Sequence, residues 1–300
     1  KTSSRAITSP AGTSDMMEVI TNVDLDLNAI KNIVEKENGC LAWGGAIKLS
    51  PADDIIISVE RALNIDSEGQ MIASVLSKKA AAGSTHVLID IPFGKTAKVR
   101  RKKDVERLKH YFKSVGEAVG LHIQTVVTEG IQPVGIGIGP ALEAMDVLAV
   151  LQNNQDAPQD LKNRAIMIAG ILLNMVQEDS AIDGKITALQ ILESGAAFAK
   201  FKSICEAQGA WKTPSYAKHS FDVKSVKGGI VTRIDNRHLA KVAKLAGAPK
   251  SPSAGLQFFA PVNKQIKPGD ILFRIWAETK GELEYAKEYL ISIPHIITII

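Results

Sequence analysis

The stretch Thr85–Ile91 reads THVLIDI, and it decides the fold class of this 300-residue chain. Its apolar run has the length of a strand and is typical of one buried on both faces of a parallel sheet. A helix ending near Val119 and a second strand, Leu121–Thr128, follow it. This strand–helix–strand order predicts an α/β core with right-handed crossovers. We therefore expect an α/β fold with a central mixed sheet flanked by helices.

Helical patterns lie on both sides of this core. Upstream, a helix begins near Thr13, with Thr13 or Ser14 as its N-cap, and Leu27–Glu37 forms an amphipathic helix that ends before Gly39. A short strand is expected over Leu41–Ile47. Further helices are expected at 53–63, 67–82, Pro140–Asn153, 158–177 and 185–208.

The pattern changes after Trp211, where Thr213–Ser215 is a candidate linker. Short strands and two short helices alternate from there to residue 300, which indicates an α+β module. We predict an α/β domain over 1–212, including two helices at about 53–83, and a smaller domain over 213–300. The segment APVNKQIKPGD at 260–270 resembles the half-barrel of biotinyl and lipoyl carriers, so a barrel-sandwich-like half is expected there. It has no lysine-bearing hairpin tip, and a carrier role is not expected.

The composition excludes several classes of function. Lysine and arginine number 36 and aspartate and glutamate 32, so the net charge of +4 does not indicate a nucleic-acid binder. The two cysteines lie far apart, and the six histidines show no metal-binding spacing. No apolar run approaches the roughly 18 residues of a membrane span. We expect a cytoplasmic protein without disulfides, metal or membrane partner.

The segment Lys1–Asp15, KTSSRAITSPAGTSD, is the first candidate site. Its hydroxyls, the Arg5 guanidinium and the backbone amides ahead of a helix suit an anion, above all phosphate. A solvated loop that caps the helix is the alternative, and composition alone favours it.

Two further segments carry candidate ligand-binding residues. In Arg61–Lys79, Asp66 and Ser74 share one side of a helix, and an N-cap followed by a solvated face is the favoured alternative. After the first strand, Lys95 and Lys98 follow a glycine turn, where ligands of α/β folds gather. The GxGxG at 135–139 lacks the dinucleotide-binding spacing and is interpreted as a turn.

Taken together, these segments resemble the thymidine and pyrimidine-nucleoside phosphorylases. The strongest match is SRAITSPAGTSDMMEVI at Ser4–Ile20, followed in the family's order by four segments: PADDIIISVER, IASVLSKKAA, VLIDIPFG and GPALEAMDVLAVL. The residues Ser3–Ser9, the Asp66 and Ser74 pair and the GKTAK turn resemble a subgroup. That subgroup holds archaeal AMP phosphorylases and certain bacterial "putative thymidine phosphorylases". The resemblance covers nearly the whole chain.

The resemblance implies roles for individual residues. Asp66 matches the proposed proton donor and is the implied catalytic residue. The implied substrate- and phosphate-binding residues are Ser4, Arg5, Ala6, Ile7, Thr8, Ser9, Thr13, Ser74 and Lys98. The spacing from Arg61 to the SKK motif is shorter than in the thymidine enzymes, so Arg61 is assigned no role. No metal and no organic cofactor are implied, because phosphate is a co-substrate.

The activity implied is that of a pentosyltransferase, namely phosphorolysis of an N-glycosidic bond that yields a free base and a sugar 1-phosphate. Nucleoside and nucleoside monophosphate substrates both stay open, and a non-catalytic nucleotide-binding fragment is a further alternative. The family carries an N-terminal part with a phosphate loop ahead of this segment, so the chain is interpreted as a fragment whose own activity is open. The implied partner, besides the small substrates, is a second copy in a homodimer.

Overall fold

The computed structural model describes residues 1–46, 68–176, 183–293 and 295–300, which form a mixed α/β fold of helices and several small sheets. The helices are α1 Thr13–Glu18, α2 Leu27–Glu37, α3 Glu68–Ala81, α4 Lys102–Ala118, α5 Pro140–Leu151, α6 Gln159–Val176, α7 Gly184–Glu193, α8 Ala196–Gln208, α9 Asn236–Leu245 and α10 Lys280–Ser292. The strands are β1 Thr2–Ser3, β2 Ala42–Trp43, β3 His86–Phe93, β4 His122–Glu129, β5 Gly137–Ile138, β6 His219–Lys224, β7 Gly229–Ile234, β8 Gly255–Phe258, β9 Gln265–Ile266, β10 Ile271–Ala277 and β11 Ile297–Ile299.

The predicted strand–helix–strand unit is confirmed as β3–α4–β4. The two strands are parallel, and their register runs from His86 opposite His122 to Phe93 opposite Glu129. Val87, Ile89 and Ile91 alternate along β3 and therefore share one face, where they pack with apolar side chains of α3 and α4. This packing fixes the loops that leave the carboxyl ends of both strands.

The first residues of the chain form a second small sheet. Strand β1 pairs in parallel with β2, from Thr2 opposite Ala42 to Ser3 opposite Trp43. Buried side chains of α1 and the turn after it, including Met17 and Ile20, join a core with residues of α5 and α8. The Ser4–Ser9 segment is thus tied to buried structure at both of its ends.

The smaller C-terminal part has two sheets, with strand orders β5–β8–β10–β6 and β11–β7–β9. Helices α9 and α10 pack on the same core, whose fully buried members include Leu239 and Ile275. Strand β5 comes from the first part of the chain and pairs with β8, from Gly137 opposite Gln257 to Ile138 opposite Leu256. The division of the chain at residue 212 stays a prediction.

Several local predictions are wrong. The helix expected over 185–208 is two helices, because Gly195 has a φ of +78° and ends the run between α7 and α8. The N-cap of α1 is Gly12 rather than Thr13 or Ser14. In the described part of the 41–47 strand, only Ala42–Trp43 is extended. The helix expected at 53–63 lies outside the described residues.

Candidate functional site

The Ser4–Ser9 segment folds back on the start of α1. The Ser3 and Ser14 hydroxyls lie 2.7 Å apart, and the Ser14 amide donates to the Ser4 carbonyl at 3.2 Å. A Cβ on Gly12 would lie 2.5 Å from that carbonyl oxygen and 2.7 Å from the Ala6 nitrogen. Only glycine allows this approach, so Gly12 has a steric role in the motif.

Asp15 holds this loop with its carboxylate. Its Oδ2 accepts hydrogen bonds from the Ala6 amide at 2.6 Å and from the Gly12 amide at 2.8 Å. These are backbone amides of the kind that the sequence analysis assigned to an anionic ligand. The carboxylate of the chain itself therefore takes the place of an anion at these two amides, and it stabilises the loop conformation.

Arg5 is held between two partners. Its Nη2 donates to Glu18 Oε1 at 2.9 Å, and its guanidinium lies 4.4 Å from the ring centroid of Trp43. Its Nε is buried without a hydrogen-bond partner in the described part of the chain. The ion pair balances the charge of Arg5, so a bound phosphate would share the guanidinium with Glu18.

The remaining predicted residues of the segment are largely exposed. Side chains at the surface are those of Ser4, Ile7, Thr8, Ser9 and Thr13. The Ser9 hydroxyl donates to the Ala11 carbonyl at 2.8 Å, and Lys244 Nζ donates to the Thr8 carbonyl at 3.4 Å. The lysine belongs to α9, so a cation from the C-terminal part lies against the predicted anion-binding segment.

Lys98 lines two cavities on the side of the molecule that carries β3 and α3. One, of about 600 Å³, is largely apolar and is bordered by Met71 and Val75 of α3 and by Asn236 of α9. The other, of about 410 Å³, is bordered by Glu68 and a cluster of charged side chains. The lysine is exposed and able to contact a ligand in either space.

Ser74 lies on α3 between Met71 and Val75, and its hydroxyl accepts a hydrogen bond from Lys78 Nζ at 3.4 Å. This contact shows that Ser74 and Lys78 lie on the same side of the helix, as their spacing of four residues predicts. Asp66 and Arg61, which precede α3, lie outside the described residues. Lys95 is exposed in the turn after β3.

A third cavity, of about 390 Å³, borders the other end of the site. Its wall includes Ser9 from the predicted anion-binding segment, Glu143 from α5 and Asn236 from α9. Asn236 thus borders both this cavity and the one that Lys98 lines. The structure places Ser9 and Lys98, which lie far apart in the sequence, on either side of one asparagine.

The carboxyl groups of α5 face backbone amides of the glycine loop. Asp146 Oδ2 accepts from the Ile136 and Gly137 amides, both at 2.7 Å, and Glu143 Oε1 accepts from the Gly139 amide at 3.1 Å. Burial raises the pKa of Glu143 to about 7, and it also raises the pKa of Asp146. Asp160 Oδ2 also accepts from the Gly135 amide at 3.0 Å, so three carboxyl groups hold the predicted turn at 135–139. The carboxyl group of Glu143 is close to half-protonated at neutral pH.

A chain of ion pairs joins α3 to α4. Arg107 Nε and Nη2 donate to the Glu68 carboxylate at 2.9 and 2.5 Å, and Nη2 also donates to Asp104 at 3.0 Å. Arg101 completes the chain with two hydrogen bonds to Asp104, which lower the pKa of that carboxyl group. These pairs fix the first residue of α3, two residues after Asp66.

Sequence reasoning missed Asn236, Glu143 and Arg107. Asn236 begins a helix that the sequence predicts after a short strand, but nothing in the sequence brings it to the end of β4. Glu143 lies within an apolar helix, and this is a signal of a buried carboxyl group.

Across the described ranges, no three histidine, cysteine, aspartate or glutamate side chains are grouped so that they could hold a metal ion. Burial raises the pKa of the free Cys205 thiol to about 12, which makes it a poor nucleophile. In the same ranges, no helix has the length and apolar character that crossing a membrane requires.

The fold and this site define a class of α/β protein. In it, Ser9 of the polar Ser4–Ser9 segment and Lys98 border two adjoining cavities, each large enough for a small ligand. No protein-family profile matches the chain. It is 52% identical over its whole length to the "Putative thymidine phosphorylase" of Hahella chejuensis and 53% identical over 97% of its length to the protein of that name from Legionella pneumophila. It is also 52% identical over its whole length to the "Putative thymidine phosphorylase 2" of an Acidovorax strain.

These relatives confirm the resemblance to the thymidine phosphorylase family that was found in the sequence. The chain spans 59%, 56% and 58% of the lengths of these three relatives.

Proposed function

We propose that the full-length protein is a phosphorylase that cleaves the N-glycosidic bond of a nucleoside or nucleoside monophosphate. Inorganic phosphate attacks C1′ of the sugar, the bond from C1′ to the base nitrogen breaks, and the base leaves with a proton. The products are a free base and a sugar 1-phosphate, which makes the protein a pentosyltransferase. The similarity to relatives named putative thymidine phosphorylase supports this class of reaction.

One observation carries the proposal. Ser9 and Lys98, which the resemblance assigns to substrate, border two cavities that share Asn236. The larger cavity has a largely apolar wall, which suits a planar base, and the smaller one is bordered by Ser9, the last residue of the Ser4–Ser9 segment. A nucleoside monophosphate, with a base at one end and an anionic group at the other, fits this order, and a nucleoside fills its base and sugar positions.

The proposed roles follow from the chemistry of the side chains. Hydroxyls of the Ser4–Ser9 segment and Thr13 hold phosphate, with Arg5 supplying positive charge. Ser74 and Lys98 bind the base side of the substrate. Asp66 gives a proton to the departing base, which requires a carboxyl group protonated near neutral pH. The reaction needs no metal or organic cofactor, because phosphate itself is the nucleophile.

Nucleoside monophosphates are the second candidate substrates, and they would yield ribose 1,5-bisphosphate. A 5′-phosphate needs a further cation near the anion-binding segment. Lys244 is such a cation, since its Nζ lies 3.4 Å from the Thr8 carbonyl oxygen. We also propose that the full-length protein is a cytoplasmic homodimer, and the mass of the purified protein in solution would test its dimeric state.

The test is base release by the full-length protein with inorganic phosphate, comparing thymidine, uridine, AMP, CMP and UMP. We expect turnover of at least one of them, and Asp66→Asn should lower kcat by about 10²–10⁴. The exposed Asp156→Asn is the matched control and should leave kcat unchanged. Turnover of monophosphates alone favours the nucleotide reaction. Binding of a nucleotide without turnover would instead support a non-catalytic role.

A further inference from the structure

Asn236 is the first residue of α9, and it reaches across to the end of β4. Its Nδ2 donates a hydrogen bond to the Gly130 carbonyl at 3.1 Å. Its Oδ1 is buried and accepts no hydrogen bond from any described residue. The side chain therefore combines a satisfied donor with an unsatisfied acceptor, on the wall of two cavities.

The orientation of this amide is fixed by its partner. The Gly130 carbonyl only accepts hydrogen bonds, so the amide nitrogen must face it and the oxygen must point elsewhere. A buried acceptor without a donor costs about 1–3 kcal/mol. Such a cost is most easily explained where a ligand supplies the missing donor.

The position of Asn236 limits what that ligand group can be. It borders the cavity that Lys98 lines on one side and the cavity that Ser9 and Glu143 line on the other. In both proposed substrates the pentose is joined to the base, and in a nucleoside monophosphate it lies between the base and the phosphate. Its hydroxyl groups are hydrogen-bond donors, whereas phosphate oxygens at neutral pH are mainly acceptors and would meet the acceptor oxygen of Asn236 unfavourably.

We propose that Asn236 Oδ1 accepts a hydrogen bond from a hydroxyl group of the substrate pentose, which makes Asn236 a substrate-binding residue supplied by the C-terminal part of the chain. This inference rests on the proposed phosphorolysis. It assigns the pentose to the junction of the two cavities and makes Asn236 a determinant of which sugar is accepted.

The experiment compares sugars rather than variants alone, because Asn236→Ala also removes the hydrogen bond to Gly130. Base release by the full-length protein is measured with a ribonucleoside or ribonucleotide that it turns over and with the 2′-deoxy and 3′-deoxy forms. The matched control is Gln132→Ala. Gln132 lines the same cavity and also joins the two parts of the chain, since its Oε1 accepts from the Val262 amide at 2.7 Å.

In the unmodified protein, removal of the hydroxyl that Asn236 binds should lower kcat/KM at least about tenfold, because the acceptor is again left alone. In Asn236→Ala the same removal should change kcat/KM by less than about threefold, while Gln132→Ala should keep the tenfold ratio. The inference would be overturned if removal of the hydroxyl changed kcat/KM by the same factor in all three proteins, or if removal of neither hydroxyl changed kcat/KM in the unmodified protein. Either result would leave the proposed phosphorolysis standing. Absence of turnover with every substrate would remove both.

Discussion

At the scale of single residues, Glu143 is a group whose charge responds to pH near neutrality. Its carboxyl group keeps one hydrogen bond, from the Gly139 amide, and burial raises its pKa from 4.5 to about 7, with smaller contributions from Asp146 and Asp15. The folded state thus binds the proton more tightly than the unfolded state does. The stability that this proton contributes is fully present below about pH 4.5 and is lost as the pH rises through about 7.

Glu143→Gln should remove this dependence. Glutamine stays neutral, and its side-chain oxygen still accepts from the Gly139 amide. We expect the variant and the unmodified protein to have similar free energies of unfolding at about pH 5, and the variant to be more stable at about pH 8.5 by on the order of 2 kcal/mol. Urea unfolding at the two pH values measures the difference. The exposed Glu288→Gln is the control, and a Glu143→Gln effect of equal size at both pH values would contradict the assignment.

At the scale of elements, the ion pairs between α3 and α4 hold Glu68, the first described residue of α3. Arg107 donates two hydrogen bonds to the Glu68 carboxylate. Two residues of fully extended chain span at most about 7 Å. We therefore expect the attachment of Glu68 to matter for the proposed role of Asp66, which precedes it by two residues. A displacement of about 1 Å in a reacting group can cost a large factor in rate.

Arg107→Gln should therefore lower kcat for base release about tenfold and leave KM within about twofold, because Arg107 positions the start of α3 without binding substrate. Arg107→Lys, which keeps the charge, should recover part of the loss. Lys109→Gln is the control, since it breaks an exposed pair with Glu106 on the same helix. An unchanged kcat in Arg107→Gln, or a loss equal to that of the control, would show that the pair is only structural.

The elements also show what the sequence could predict. Apolar periodicity predicted β3, β4 and most helices, because burial on one face leaves a local pattern. It merged α7 with α8, since one glycine at a φ of +78° is hard to distinguish from a tolerated helical glycine. The strands β1 and β5 have two residues each, and they form only because they pair with strands that are distant in the sequence. Asn236 was missed for the same reason, because its unsatisfied oxygen is a property of the assembled fold.

At the scale of the whole molecule, the two parts of the chain meet along a seam that glycines make possible. Strand β5 pairs with β8, where a Cβ on Gly255 would lie 2.1 Å from the Ile138 carbonyl oxygen. Nearby, the Ala141 amide donates to the Pro252 carbonyl at 2.9 Å, and Thr96 Oγ1 donates to the Ile234 carbonyl at 3.4 Å. The seam holds α9, and with it Asn236, against the part that carries Lys98.

Gly255→Ala should open this seam. Gly255 has a φ of +152°, so the variant carries both backbone strain and a collision with Ile138, and we expect it to lose at least about 3 kcal/mol of unfolding free energy. Gly269 has a φ of +90°, and a Cβ added there would have no described atom within 4 Å, so Gly269→Ala should lose only about 1–2 kcal/mol. Urea unfolding followed by tryptophan fluorescence compares them. Because the seam aligns Asn236 with Lys98, Gly255→Ala should also lower kcat/KM, whereas Gly269→Ala should leave it unchanged. Equal losses of kcat/KM in the two variants would exclude a role of the seam in holding the site together.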